Sequence, residues 1–296
     1  MDRTKAKGLI CCGALIFIGF AFNGHINLYF NLAALCIVIG GTLGATLISF
    51  KISSLINLYK VLKNSRHSTA KEPEEIVEIL IDISVKSRIK GLLSLQEEEE
   101  ETSFLFLRRA LGFLVDGYPA EEITEILNTE MAFFKIRREE SERILRTVAE
   151  ICPAFGLIGS IAGLVGMIAG MADSAIIIKT IPIALTSTLY GVVFSNFLLL
   201  PFAANIRERT NHELLLQKII LSGILAIESK IHPRMLERKL KSFLTPSLRN
   251  NKLVSIERIR NMLKIEENSE KERAVEENDL NAAEENSAVE TSTSAT

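Results

Sequence analysis

Three long stretches of this chain contain no Asp, Glu, Lys or Arg: residues 8–50, 151–172 and 180–206. A helix in water needs a wetted polar face at helical period, and none of these stretches has one. Roughly 20 apolar residues suffice to cross about 30 Å of hydrocarbon. The averages, 48% hydrophobic and 24% charged, would suit a soluble domain. The segregation of the charge excludes that reading.

The first stretch is long enough for two spans and is broken by the turn signal Asn23-Gly24-His25. Four spans are expected, near residues 8–22, 32–50, 151–171 and 180–206. The start carries Arg3, Lys5 and Lys7 before an apolar run but shows no convincing cleavage site, so it reads as a retained anchor. Cys11, Cys12, Cys36 and Cys152 fall in apolar spans without metal or disulfide spacing and read as small hydrophobes. Lys and Arg gather on one side of the spans: Lys51, Lys60, Lys63 and Arg66 after the second, Arg207 and Arg209 after the fourth, whereas the two short turns carry only His25 in one case and Asp173 with Lys179 in the other. That asymmetry puts both termini and the middle segment in the cytoplasm, with two short turns outside, as in a multi-pass protein of the bacterial inner membrane.

The expected fold class is all-α: a polytopic membrane protein with four transmembrane helices and a helical cytoplasmic domain. Residues 1–50 hold spans one and two, 51–150 a cytoplasmic helical insert, 151–206 spans three and four, 207–264 a C-terminal helical region, and 265–296 an acidic tail. In the insert, Ser68 and Thr69 offer a cap, Pro73 a first helical turn, and Ile76, Ile79, Leu80 and Ile83 a buried face. Residues 97–101 are five consecutive acids, a solvated loop. A further helix opens at Pro119 with Glu121 and Glu122 in its first turn and carries Ile123, Ile126 and Leu127; no breaker follows before Pro153, so it should run into span three. A stop is expected near His232-Pro233. Residues 266–296 hold ten acids, two bases and no aromatic, the composition of a disordered segment.

Span three carries Gly156, Gly159, Gly163, Gly166 and Gly170, spaced 3, 4, 3, 4 along one helix face. Glycine is costly in a helix unless the space is needed, and small residues let helix backbones approach in a bilayer. Span four answers with Ala184, Thr188, Gly191 and Ser195. Two readings stay open: tight helix packing, or a face that lines a path or cradles a partner helix. Hydroxyls on such a face bond their own backbone or meet a cation or water. An ion path normally needs an ionisable group at membrane depth, and none of the spans has one, so a partner helix would have to bring a carboxylate. No nucleophile triad, phosphate loop or metal cluster is visible, and His25, His67, His212 and His232 are scattered. No enzyme, cofactor or nucleic-acid partner is expected.

Several motifs follow one another in an order that resembles the flagellar motor stator protein A family. They are Gly40-Gly41-Thr42-Leu43-Gly44, the run from Cys152-Pro153 to Gly159-Ser160, Thr188-Leu189-Tyr190-Gly191, Leu200-Pro201-Phe202-Ala203, Gly223-Ile224-Leu225-Ala226-Ile227 and His232-Pro233-Arg234. The resemblance covers about residues 1–250. It implies a homo-oligomeric ring, a pentamer, around a B subunit that supplies a membrane Asp and a peptidoglycan-binding domain. Ion flow would then turn the ring against the rotor switch protein. Pro153 and Pro201 match prolines that couple ion flow to movement, and Thr188 matches a hydroxyl beside the path. Ser160 matches a position usually Thr in sodium-driven and often Ala in proton-driven members; the transported ion is expected to be H+, with Na+ as the alternative. Arg88, Lys90, Gln96 and Glu97 fall in the segment resembling the rotor-facing one, where Gln96 stands at a position expected to be Glu and the acid run beginning at Glu97 could replace that charge. The alternatives are an ion-driven energiser of outer-membrane transport or gliding, and a non-conducting scaffold.

Overall fold

The computed structural model describes residues 29–64, 72–96, 104–170 and 174–244, with isolated positions between 8 and 22. Most of the first expected span, the Asn23-Gly24-His25 turn, Ser68, Thr69, Glu97 with the rest of the acid run, Asp173 and the acidic tail lie outside the described residues. Among the described residues every regular element is helical: α1 (Leu32–Ser49), α2 (Ile52–Asn64), α3 (Pro73–Lys90), a 3-10 turn (Leu92–Leu95), α4 (Leu105–Val115), α5 (Ala120–Ala169), α6 (Ser174–Val193), a π-helical turn (Phe194–Leu199), α7 (Leu200–Glu228) and α8 (Pro233–Lys241). Three helical stretches are long and apolar enough to cross a membrane: Leu32–Ser49, Ala120–Ala169 and Ala175–Glu228. The chain forms two compact units, each built from separated stretches: Met1–Ala70 with Asn128–Leu214, and Lys71–Leu127 with Leu215–Thr296.

In the first unit, α1 starts at Asn31, whose Oδ1 accepts a hydrogen bond from the Ala34 amide at 3.1 Å. That cap satisfies one of the amides a helix start leaves open. Ala34, Val38, Thr42 and Thr46 recur every four residues as the buried stripe of α1, which packs on α6. The Thr42 and Thr46 hydroxyls donate to Val38 O and Thr42 O, each at 2.6 Å, so their burial leaves no bond unmade. Leu43, Leu47 and Ile48 point outward and are exposed. An apolar outer face is what a helix bathed in lipid carries. α2 lies beside α5 and α7 through a cluster of Leu58, Ile144, Leu145, Ala203 and Ile206. Ser54 Oγ adds a 2.7 Å bond to Glu140 Oε1, and Arg138 pairs with Glu213 at 3.3 Å while stacking over the Phe134 ring.

α5 runs unbroken for 50 residues with Pro153 inside it; at 1.5 Å per residue it is about 75 Å long. The Pro119 start and the run into the apolar half agree with the sequence pattern. The fourth expected span continues as helix into the region after residue 206, and α6 passes into α7 through a widened turn. The physical reason is Pro201, the second residue of α7. Its ring lacks an N–H and crowds the carbonyl four residues back. Widening the preceding turn to the i→i−5 pattern, as in the Leu200 amide bonded to Ser195 O, makes room without ending the helix.

In the second unit, α3 opens directly at Pro73, with Glu72 as a cap that makes no side-chain bond. Of the expected face, Ile76, Leu80 and Ile83 are buried and Ile79 is only half-buried; Val77, Ile81 and Val85 join the core instead. α4 contributes Phe106, Leu107, Ala110, Leu111 and Leu114 to the core, and α8 packs Leu236 and Leu240 against α3. Gly223 on α7 receives the Leu80 side chain; a methyl there would lie 2.7 Å from Leu80 Cδ1.

Candidate functional site

The glycine stripe of α5 and the small-residue stripe of α6 meet each other. A methyl added at Gly156 would lie 2.9 Å from Ser187 O, at Gly159 2.7 Å from Ser187 Cβ, and at Gly163 2.7 Å from the Ala184 amide nitrogen. At Gly166 it would lie 3.1 Å from Thr180 Cγ2, and at Gly170 it would overlap the Ile176 side chain. From the other side, a methyl on Gly191 would lie 2.8 Å from Cys152 O. Of the two readings the spacing left open, close helix packing is the one these atoms realise, and the partner helix is this chain's own α6. Phe155, the aromatic just ahead of the stripe, lies over Gly41 of α1, which brings the third helix into the same seam. Small residues permit such contact because backbone approach, rather than hydrophobicity, drives association in lipid.

The hydroxyls of the seam divide. Thr186 donates to Pro182 O at 2.6 Å and Ser187 to Ala184 O at 3.2 Å, both within α6. Ser195, only 4% exposed, instead reaches across to Ala149 O of α5 at 2.6 Å. Thr188 also faces α5, toward Gly156 O, but at 3.4 Å and half-buried. Ser160 is half-buried next to Gly159, Pro153 is half-buried within α5, and Pro201 is exposed. Of the four candidate ion-path residues, Thr188 and Pro153 lie on the seam, a methyl on Gly191 falling 3.0 Å from Pro153 Cα, and the seam's own stripes, Gly156–Gly170 and Ala184–Ser195, carry no carboxylate. Tyr190, whose part the spacing did not reveal, ties the start of α1 to α6: its hydroxyl donates to Tyr29 O and accepts from the Asn31 amide at 3.0 Å. Asn31 carried a legible signal, a capping residue before an apolar run.

The second unit holds the other candidates. Arg88 and Lys90 are exposed at the end of α3, where Gly91 turns the chain at φ 82° into the 3-10 turn, and Gln96 is exposed just beyond it. Arg88, Lys90, Lys230 and Ser87 line a cleft of about 510 Å³ floored by Ile227. A basic end suits a helix C-terminus. Among the described residues no group of His, Cys, Asp and Glu could hold a metal ion.

Residues 97–218 match the model of the MotA/TolQ/ExbB proton channel family. The chain is 29% identical to chemotaxis protein PomA of Vibrio alginolyticus over 249 residues, 84% of this chain and 98% of that protein. It is 31% identical to motility protein A of Borreliella burgdorferi over 238 residues, 80% of this chain and 90% of the relative. Among solved structures, the flagellar MotAB stator complex from Bacillus subtilis has a chain that superposes with a TM-score of 0.77 at 25% identity, covering 84% of this chain and 98% of that one. Likeness of this extent runs through all three apolar helices and both compact units, so the chain belongs to the motility protein A family.

Proposed function

We propose that this chain is the A subunit of a flagellar motor stator, which forms an ion channel with a B subunit and converts ion flow into torque. The observation that carries the reading is the α5–α6 seam: a close-packed wall of Gly156, Gly159, Gly163, Ala184 and Gly191 with hydroxyls beside it and no ionisable side chain. A conducting unit built on such walls needs a carboxylate from another chain, and the related Bacillus complex is a MotAB stator. In this reading residues 8–22 supply a fourth span, both termini are cytoplasmic, and the chain sits in the bacterial inner membrane as a pentamer around B subunits. The ion is H+. Pro153, Ser160, Thr188 and Pro201 border its path, and Arg88, Lys90, Gln96 and Glu97 face the rotor switch protein.

Deletion of the gene, in a host with no second stator pair, tests this. Loss of swimming with flagella still assembled is the expected result. Normal swimming would overturn the reading in favour of an energiser with another load.

A further inference from the structure

Pro153 of α5 and the widened turn before Pro201 meet at one residue, Ser195. Pro153 sits inside an unbroken α5. In a regular helix the amide of residue 153 would bond the carbonyl four residues back, that of Ala149; proline has no N–H to offer, and Ala149 O loses its helical donor. Ala149 is 2% exposed, so water does not fill that role easily. The Ser195 hydroxyl donates to this same carbonyl at 2.6 Å, from another helix and 46 residues away in sequence. Ser195 also stands in the widened turn that precedes Pro201, and its own carbonyl accepts the Leu200 amide.

We propose that Ser195 is a positioning residue that joins the two prolines: its hydroxyl stands in for the amide Pro153 lacks, and its carbonyl closes the widened turn that Pro201 requires. The widened turn has a purpose under this assignment, because it brings its own short hydroxyl side chain to the α5 carbonyl that Pro153 leaves open. A backbone bond would fix α5 as a rod at this point. A side-chain bond can be broken and remade by a rotation of Ser195 about χ1, so α5 and the α6–α7 passage are held in register yet can shift together. Its part in torque rests on the stator reading; the bond substitution itself does not.

The test uses the full-length chain co-expressed with its B subunit. Thermal melting of the purified complex and swimming speed are both measured. Ser195→Ala should lower the melting temperature and slow swimming, whereas Ser195→Thr should keep both near the parent and Ser195→Val, its isostere without the hydroxyl, should not. In a Pro153→Ala background the restored amide bonds Ala149 O, so adding Ser195→Ala should lower melting far less than it does in the parent. An equal fall in both backgrounds, or equal melting of the Thr and Val variants, overturns the proposal. If Pro153→Ala gives no complex, the Thr and Val pair decides alone. Should the stator reading fail instead, swimming would be indifferent to all of these variants while the melting pattern would still hold.

Discussion

Gly163→Ala is the sharpest probe of the seam, because the new methyl would meet backbone rather than a movable side chain. Its Cβ would lie 2.7 Å from the Ala184 amide nitrogen, 2.8 Å from Ala184 Cβ and 2.9 Å from Ala184 Cα. Carbon atoms in contact prefer about 3.5–4.0 Å, so α5 and α6 must part by roughly 0.7 Å or more at this level. Overpacking of that kind costs about 1–3 kcal/mol. Alanine recovers up to ~1 kcal/mol through its better helix propensity. Gly40→Ala on α1 supplies the matched control, since a methyl there has nothing within 4 Å. It should gain the propensity term without the clash.

The two variants should therefore differ by about 1–3 kcal/mol, the overpacking cost alone. Gly166→Ala should fall between them, because its 3.1 Å neighbour is the end of a threonine side chain. The assay is thermal melting of the detergent-purified complex, with swimming in soft agar as the functional readout. If Gly163→Ala melted with Gly40→Ala, the seam would not be the tight contact described, and the case for the stripe as a wall would fail with it.

Other outcomes follow from the same atoms. Asn31→Ala removes a helix cap and should cost about 1 kcal/mol, with Asn31→Asp close to the parent in melting. Arg88→Glu should abolish swimming while costing the complex no more than about 1 kcal/mol, the helix-end charge term for an exposed side chain; the motility of milder Arg88 variants should depend on ionic strength, because exposed charge pairs are screened by salt. Swimming speed should survive removal of sodium and fall when the proton gradient is collapsed. The reverse pattern would make the transported ion sodium and give the Ser160 hydroxyl a larger part.

What the sequence made legible depended on whether a property is one-dimensional. The partition of charge is, and residues 151–172 needed no partner to be read as membrane-bound. The buried face of α3 was legible for the opposite reason: polar residues surround it, so Ile76, Leu80 and Ile83 stand out. α1 had no such contrast. It has no charged face, and its buried stripe of Ala34, Val38, Thr42 and Thr46 differs from the exposed Leu43 and Leu47 only in smaller side chains and two hydroxyls, a weaker signal than charge. The stripe Gly156–Gly159–Gly163 was visible as spacing, but a residue without a side chain carries no sign of what approaches it. Pro201 announced an irregularity, though not that the helix would pass through it by widening one turn. The bond from Ser195 to Ala149 was beyond reach, because it pairs a common residue with a backbone atom in another helix.

Under the proposed stator reading, the same distances leave fewer groups for an ion path than the sequence offered. Thr186, Ser187 and Ser195 are 4%, 0% and 4% exposed, and each hydroxyl is engaged within the chain. A hydrated or partly hydrated ion has no room beside them unless the seam opens. Thr188 differs on both counts: it is half-buried, and its contact with Gly156 O is 3.4 Å, well beyond the usual hydroxyl bond of about 2.7–2.8 Å. A contact so long contributes little to stability, and the hydroxyl stays available to water or an ion. Thr188→Val, which keeps the shape, should then slow swimming while shifting stability by less than about 0.5 kcal/mol, the lower end for an ordinary hydrogen bond. Ser187→Val, at a closed position where Gly159 leaves no space, should destabilise the complex first, by roughly 1–3 kcal/mol of overpacking. If Thr188→Val lost stability as Ser187→Val does and swam normally wherever the complex assembled, Thr188 would be one more packing hydroxyl, and the path would have to run along a face of α5 other than the one toward α6.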